Sequence, residues 1–239
     1  SAIEATGAKG LALPWDLADR GVIPGNLKAV EDAFGRPIDI LINNSGGPPL
    51  TPASGQDPAL WLEQFEVMVL SLIAISDAVL PGMRARKWGR IITSTSSGVA
   101  TPIPGLGLSN SLRGVLHGWS KTVSREVAKD GVTVNVLVPG RISTDRIRQN
   151  VIATTPLKAA STPDDIADAG LFLISDAARH VTGETLAQPR GQSERDALKA
   201  RAGELATTPL DPDYPLWQFH LVEQYEGGSA MICRIHHCI

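Results

Sequence analysis

The sequence has few cysteines, no long apolar run and no excess of basic residues, and each shortage excludes a class of protein. Its two cysteines, Cys233 and Cys238, both lie close to the end of the 239 residues, so disulfides cannot hold the rest of the chain together. So few cysteines, placed at one end of the chain, suit a reducing compartment, and we expect a cytoplasmic protein. Residues 1–10 are neither basic nor continuously apolar, so they do not resemble a secretory leader.

The apolar and charged residues exclude two further classes. The longest apolar candidate, residues 67–74, is interrupted by Ser71 and is far shorter than the roughly 18 residues that a membrane span needs. We therefore predict no membrane span. The 22 basic residues are outnumbered by 25 acidic ones, which argues against a nucleic-acid partner. The composition is that of a globular chain long enough for one sizeable core.

Short β-branched runs alternate with helical periodicity along most of the chain. We predict strands at residues 11–15, 38–43, 90–97, 132–138 and 181–187. Helices are predicted from residue 26, after the pair Asp57-Pro58, from Ser109 or Asn110, and after Thr162. Pro81 and Gly82 are expected to end the second helix. Alternation at these lengths predicts an α/β fold with a parallel sheet.

The stretch from residue 89 to 113 joins a strand to a helix through a polar strand end. Residues 93–97 are five hydroxyl side chains in succession, and ligands in open parallel sheets bind beyond the carboxyl ends of the strands. A catalytic group is therefore plausible here, although Ser and Thr also commonly close a strand by bonding local backbone groups. The helix that follows should bury an apolar stripe: Leu108, Leu112, Val115, Leu116, Trp119 and Val123.

The character of the chain changes near residue 190. Residues 196–205 predict a charged helix, and two short strand patterns flank residues 225–228, whose glycines suit the tight turn of a β-hairpin. We therefore divide the chain into residues 1–190 and residues 191–239.

Several motifs occur in a specific order over the first unit. They are Asp16 at a strand end, NNSGG at 43–47, GRIITSTSS at 89–97, VPGRIST at 138–144 and VTGETL at 181–186. In this order the chain resembles the short-chain dehydrogenase/reductase family. The resemblance implies a truncated Rossmann-like parallel sheet with flanking helices, followed here by the C-terminal helix and β-hairpin. It also implies hydride transfer between NAD(P) and a small-molecule carbonyl or alcohol.

The resemblance assigns roles to individual residues. Ser96 matches the catalytic serine that orients the substrate oxygen. The positions that match cofactor contacts are Asp16, Asn43, Asn44, Gly46, Pro139, Gly140 and Thr144.

Three departures from the family pattern weaken the expected activity. The Tyr-x-x-x-Lys pair falls on Leu108 and Leu112, and leucine can neither pass a proton nor lower a phenol's pKa. Arg113 lies about 100° further round the helix and is expected to be a poor substitute. The family's catalytic asparagine falls on Met68, and its glycine-rich phosphate turn would precede Ser1. We expect impaired NAD(P) binding and weak or absent hydride transfer.

The tail has a second resemblance. Residues 209–223 and the pair His236-His237 look like the start of the wax-ester synthase/diacylglycerol acyltransferase family, whose signature is HHxxxDG. The resemblance makes His237 the general base that takes a proton from an acceptor alcohol, with His236 beside it. An acyl substrate is therefore the alternative to a carbonyl. A junction of two gene fragments near Gly191 would explain both resemblances.

Other interpretations of the residues stay open. Ser96 could be a hydrolase nucleophile, although no G-x-S-x-G elbow occurs. The cysteines and histidines of the tail attract zinc in principle, but strand alternation puts Cys233 and His237 on one side and His236 on the other, so no metal site is predicted. A binding module without catalysis is the third class. We also expect a homo-oligomer, with a second copy or the hairpin covering apolar surface beside residues 38–43.

Overall fold

The computed structural model describes residues 7–140 and 162–187, together with the backbone of residues 217–225 and 228–235. Its helices are α1 (Ile23–Phe34), α2 (Pro58–Phe65), α3 (Ser71–Arg86), α4 (Gly107–Val127) and α5 (Pro163–Ile174), and a π-helical segment, Glu66–Leu70, joins α2 to α3. Its strands are β1 (Ile40–Asn43), β2 (Gly89–Ser94), β3 (Val132–Val138), β4 (Thr185–Ala187), β5 (Trp217–Tyr225) and β6 (Gly228–Ile235). The predicted helix at residues 196–205 lies outside the described residues.

The first four strands form one parallel sheet in the order β1-β2-β3-β4. Ile40 pairs with Arg90, Gly89 with Val132, and Val136 with Thr185. All seven residues of β3 are buried, as expected for a central parallel strand that is covered on both faces. The predicted α/β fold with flanking helices is confirmed.

The strand predicted at residues 11–15 is wrong. That segment forms no ladder, and Asp16 lies in a turn where its Oδ1 accepts from the Ala18 amide at 2.9 Å. Among the described strands β1 is a sheet edge, and the side chain of Ile42 is 54% exposed there. A strand needs a neighbour for its backbone groups, and the described chain places none between residues 11–15 and β1.

The long helical run from Pro58 to Arg86 begins as predicted and ends later than predicted. Asp57 caps it by accepting from the Ala59 amide at 2.8 Å. The predicted break at Pro81 and Gly82 is wrong, because α3 continues to Arg86 and ends where Lys87 turns left-handed at φ 57°. Burial of Met83 beyond the proline explains this, since packing outweighs the roughly 3 kcal/mol that an interior proline costs.

The same run, Pro58–Arg86, is long and apolar enough to cross a membrane by length and composition alone. It has 29 residues, its most apolar window has a mean hydropathy of 1.7, and 39% of that window is buried. Polar residues such as Ser71 and Ser76 interrupt its apolar side chains, so no uninterrupted apolar stretch in it reaches that length. A core helix passes the same test, and here the buried residues Met68, Val69 and Leu72 pack against α4. We therefore interpret the run as a core helix.

Helix α4 starts two residues earlier than predicted, at Gly107. The Gly107 amide donates to the Thr51 carbonyl at 2.8 Å, and a Cβ on Gly107 would lie 2.4 Å from the Cα of Ala53. This close backbone approach fixes the helix start without a side-chain cap, and Asn110 instead donates to the Ile103 carbonyl at 3.0 Å. The predicted stripe is buried at Leu108, Leu112, Leu116 and Val123, Trp119 is partly buried, and Val115 is 42% exposed.

The remaining elements follow local signals closely. Thr162 and Asp165 form a capping box at the start of α5. Leu171 is 59% exposed, and α5 buries Ala169 and Leu173. The predicted hairpin is confirmed: β5 and β6 pair antiparallel, with Trp217 opposite Ile235, and form a sheet separate from β1–β4.

Candidate active site

The carboxyl ends of β2 and β3 are joined by two backbone hydrogen bonds beyond the regular ladder. The Thr95 amide donates to the Leu137 carbonyl at 2.9 Å, and the Ser97 amide donates to the Pro139 carbonyl at 3.3 Å. Ser96 therefore lies beside residues Pro139 and Gly140 at the end of β3. This is the edge of the sheet at which parallel α/β folds bind ligands.

Ser96 is half-buried at this edge. Its Oγ accepts from the Gly98 amide at 3.1 Å, which is a local turn bond. The hydroxyl proton is not used by that bond, so Ser96 can still donate to a substrate oxygen. Pro139 and Gly140 beside it are also half-buried, whereas Thr144 lies outside the described residues.

The segment after β1 divides into a buried and an exposed part. Asn43 is 1% exposed, and its Nδ2 donates to Ser76 Oγ at 2.9 Å, which ties β1 to α3. Asn44 and Gly46 are exposed beyond the strand end. Asp16 is also exposed. Its side chain accepts a hydrogen bond from the Ala18 amide within its own turn, and the described residues show no contact between it and the residues around Ser96.

The assignment of the Tyr-x-x-x-Lys positions to Leu108 and Leu112 is wrong by one residue. Both leucines face a core cluster with Met68, where Leu108 is 0% and Leu112 is 5% exposed. The residues that follow them, Ser109 and Arg113, are one turn apart on another side of α4, from which the side chain of Arg113 reaches the strand ends. The site therefore holds a serine and an arginine where a phenol and an ammonium were sought.

Arg113 connects the end of β2 with the segment that follows β1. Its Nη1 lies 3.4 Å from the carbonyl oxygens of both Ser94 and Thr95, and its Nη2 lies 3.5 Å and 3.2 Å from those of Ser45 and Gly46. The residue is 8% exposed, and burial lowers the pKa of its guanidinium. The described residues place no carboxylate within ion-pair distance of it. That Arg113 is a poor substitute for the family's lysine stays a prediction.

His117 is a second residue of α4 that lies at the strand ends. Its Nε2 lies 3.0 Å from Thr95 Oγ1, and the residue is half-buried. Burial and the charge of Lys121 lower the pKa of His117 from its ordinary value. A spacing signal was available, because Ser109, Arg113 and His117 recur at every fourth position beside the apolar stripe.

Met68, at the position of the family's asparagine, lies inside the π-helical segment and is 1% exposed. Its thioether packs among leucines and cannot take part in a polar network at the strand ends. By contrast, the buried hydroxyls of Ser45 and Ser97 have no hydrogen-bond partner in the described chain. Such unsatisfied groups at a ligand-binding edge fit the polar groups of a nicotinamide nucleotide.

Comparison with known proteins agrees with this architecture. A family model described as enoyl-(acyl carrier protein) reductase matches residues 1–193, and the model of the wax ester synthase/diacylglycerol acyltransferase catalytic domain matches residues 174–239. Acetoacetyl-CoA reductase of Paracoccus denitrificans is 32% identical over 79% of this chain and 80% of its own length. The 3-oxoacyl-[acyl-carrier-protein] reductase FabG of Escherichia coli (strain K12) is 35% identical over 75% of this chain and 76% of its own.

Solved structures show the same fold. YwfH, described as an NADPH-dependent reductase involved in bacilysin biosynthesis, superposes with a TM-score of 0.71 at 25% identity over 80% of each chain. NAD+-bound xylitol dehydrogenase, at 18% identity and a TM-score of 0.71, covers 78% of this chain and 80% of its own, and shows the fold alone. With the family model spanning residues 1–193, the chain belongs to the short-chain dehydrogenase/reductase family of oxidoreductases.

Proposed function

We propose that this chain is a reductase-like oxidoreductase for a small-molecule carbonyl, dependent on NAD(P) and weakened in both cofactor binding and hydride transfer. The names of its relatives support a 3-oxoacyl thioester as the substrate class. The observation that supports weakened hydride transfer is the pair Ser109 and Arg113 on α4, which offers neither a phenol nor an ammonium. The two tyrosines of the sequence, Tyr214 and Tyr225, lie outside residues 7–140 and 162–187.

The chain's own residues would divide the work as follows. Ser96 donates a hydrogen bond that orients the substrate oxygen, and Arg113 holds the loop after β1 against the end of β2. NAD(P), when bound, supplies the hydride. The carbonyl oxygen must gain a proton in the same reaction, and an aliphatic hydroxyl such as that of Ser109 releases one far less readily than a phenol of pKa about 10. We therefore expect slow turnover.

The cofactor contacts are proposed on the same basis. Asn44, Gly46, Pro139 and Gly140 lie along the strand ends, and Asn43 fixes β1 behind them. Asp16 and Thr144 keep their proposed roles from the family resemblance. Weak binding is proposed from the family resemblance, because none of these residues forms the glycine-rich turn that holds pyrophosphate at a helix N-terminus.

Titration with NADPH and NADH, followed by nucleotide fluorescence, tests this proposal. We expect saturable binding only in the millimolar range. Arg113→Met should weaken it about tenfold further, or about 1.4 kcal/mol, because the Ser45 and Gly46 carbonyls lose their donor. Gly118→Ala is the matched control, since a Cβ at this exposed α4 position meets nothing within 4 Å. No binding at millimolar cofactor would remove the reductase proposal, and micromolar binding would remove the proposed impairment.

Acyl transfer or ester hydrolysis through His237, with His236 beside it, is a second candidate. The acyltransferase model that matches residues 174–239 favours it, although both histidines lie outside the described residues. Release of acid or thiol from acyl esters and thioesters should then be abolished by His237→Ala and retained in Ser96→Ala. Loss in Ser96→Ala alone would instead indicate a serine nucleophile. Absence of any release would leave the tail as a binding module.

Three expectations about organisation complete the proposal. We propose that the reductase-like unit ends near residue 190 and the acyltransferase-like fragment follows from residue 191. We also propose a cytoplasmic homo-oligomer. Support for association between copies of the chain comes from β1, which is an edge among the described strands. The residues Ile40 and Ile42 are 39% and 54% exposed there.

A further inference from the structure

Thr95, the residue before Ser96, is held by α4 at two different atoms. Arg113 Nη1 lies 3.4 Å from its carbonyl oxygen, and His117 Nε2 lies 3.0 Å from its side-chain oxygen. Arg113 and His117 are four residues apart, so they project from the same face of the helix. The main chain and the side chain of Thr95 are therefore bound to one rigid element.

The same threonine is also bound to β3. Its amide donates to the Leu137 carbonyl at 2.9 Å, and its Oγ1 lies 3.4 Å from that same carbonyl oxygen. Thr95 is 6% exposed, whereas Ser96, which follows it, is half-buried at the open edge. The Thr95 carbonyl and the Ser96 amide belong to one planar peptide unit, so a shift of the Thr95 main chain moves the Ser96 amide with it.

The direction of the Thr95 hydroxyl depends on the protons of His117. A threonine hydroxyl has one proton to donate. When Nε2 is unprotonated, it can accept that proton from Thr95. When Nε2 carries a proton, it donates to Thr95 Oγ1, and the hydroxyl proton is then free to turn towards the Leu137 carbonyl.

We propose that His117 is a positioning residue, which acts through the Thr95 hydroxyl to set the orientation of the strand end that presents Ser96. The inference deepens the proposed reductase-like function by adding a titratable group to its site. The charged group that acts on His117 in the described chain is Lys121, one turn further along α4, and Arg113 lies one turn before it. From the sheet side, His117 contacts the uncharged Thr95 just beyond the end of β2, and the second partner of that hydroxyl is the Leu137 carbonyl of β3.

Nuclear magnetic resonance of the full chain between about pH 5 and 8 tests the proposal without any turnover. The ring of His117 should titrate below its ordinary value of 6.5, since burial and Lys121 both disfavour the cation. The backbone amide signals of Thr95 and Ser96 should shift with the same midpoint. In His117→Gln, whose amide reaches the same place without titrating, the shift of the Ser96 amide should be lost.

Two further variants separate this role from a purely structural one. Lys121→Gln, at an exposed position, should move the common midpoint upward, because it removes a positive charge near His117. Thr95→Val should leave a titrating His117 that the Ser96 amide no longer follows. A Ser96 amide that is independent of pH in the parent chain, or that titrates unchanged in His117→Gln, would overturn the proposal. Failure of NADPH binding would overturn the proposed function and leave these signals readable.

Discussion

Replacing Leu112 with lysine is expected to lower the free energy of unfolding by about 3–5 kcal/mol, or to prevent folding altogether. Leu112 is 5% exposed and packs with Leu108, Leu116 and Met68 in the apolar cluster between α4 and the long helix. An ammonium there has no polar partner and must either lose its proton or open the cluster. Urea unfolding followed by circular dichroism measures the effect.

Arg113→Lys is the matched control for that substitution, because it places the same side chain one residue further along α4. There the lysine replaces a cation that already lies among four carbonyl oxygens, so we expect a loss of no more than about 1–2 kcal/mol. Equal losses in the two variants would contradict the one-residue correction of the site.

The double variant Ser109→Tyr/Arg113→Lys is expected to raise NADPH-dependent reduction of acetoacetyl-CoA at least about a hundredfold over the parent chain. It supplies a phenol at the strand ends and an ammonium one turn along to lower the pKa of that phenol. The measurement is the loss of NADPH absorbance at millimolar cofactor, after circular dichroism has shown that the variant is folded.

Ser109→Phe/Arg113→Lys controls for the bulk of the new ring, since it differs from the double variant by a single hydroxyl. We expect it to be no faster than the parent chain. If the phenylalanine and tyrosine variants reduce the substrate at the same rate, Ser109 does not occupy the position from which the proton is donated.

Local signals in the sequence predicted most of the sheet and the helix caps correctly. β3 spans residues 132–138 as predicted, and α5 begins after Thr162 as predicted, with a capping box between Thr162 and Asp165. Both depend on residues close together in the chain: a β-branched run bounded by Gly131 and Pro139, and a pair three residues apart.

The errors in the fold come from interactions between distant residues. Residues 11–15 have a strand-like pattern, but a strand forms only where a neighbour pairs with it, and that neighbour cannot be deduced from five residues. Pro81 is a strong local breaker, yet burial of Met83 in the core extends α3 beyond it. In both places tertiary packing outweighed local preference.

The error in the predicted site is a shift of one residue along α4. A helix turns about 100° per residue, so counting from Ser96 to Leu108 instead of Ser109 exchanges the core face for the face that meets the strand ends. The apolar stripe indicates the correct register, because it predicts that Leu108 and Leu112 are buried in the core. The bond between Thr95 and His117 joins residues 22 apart and could not be predicted from local spacing.

The central claim is that the chain keeps the short-chain dehydrogenase/reductase scaffold but lacks an efficient proton donor at the end of β2. The most direct test is the rate at which the purified parent chain oxidises NADPH in the presence of acetoacetyl-CoA, with both at millimolar concentration. We predict a parent rate far below the usual enzyme range, which Ser109→Tyr/Arg113→Lys raises at least about a hundredfold. Turnover by the parent chain within the usual enzyme range of about 1–1,000 per second would contradict the claim.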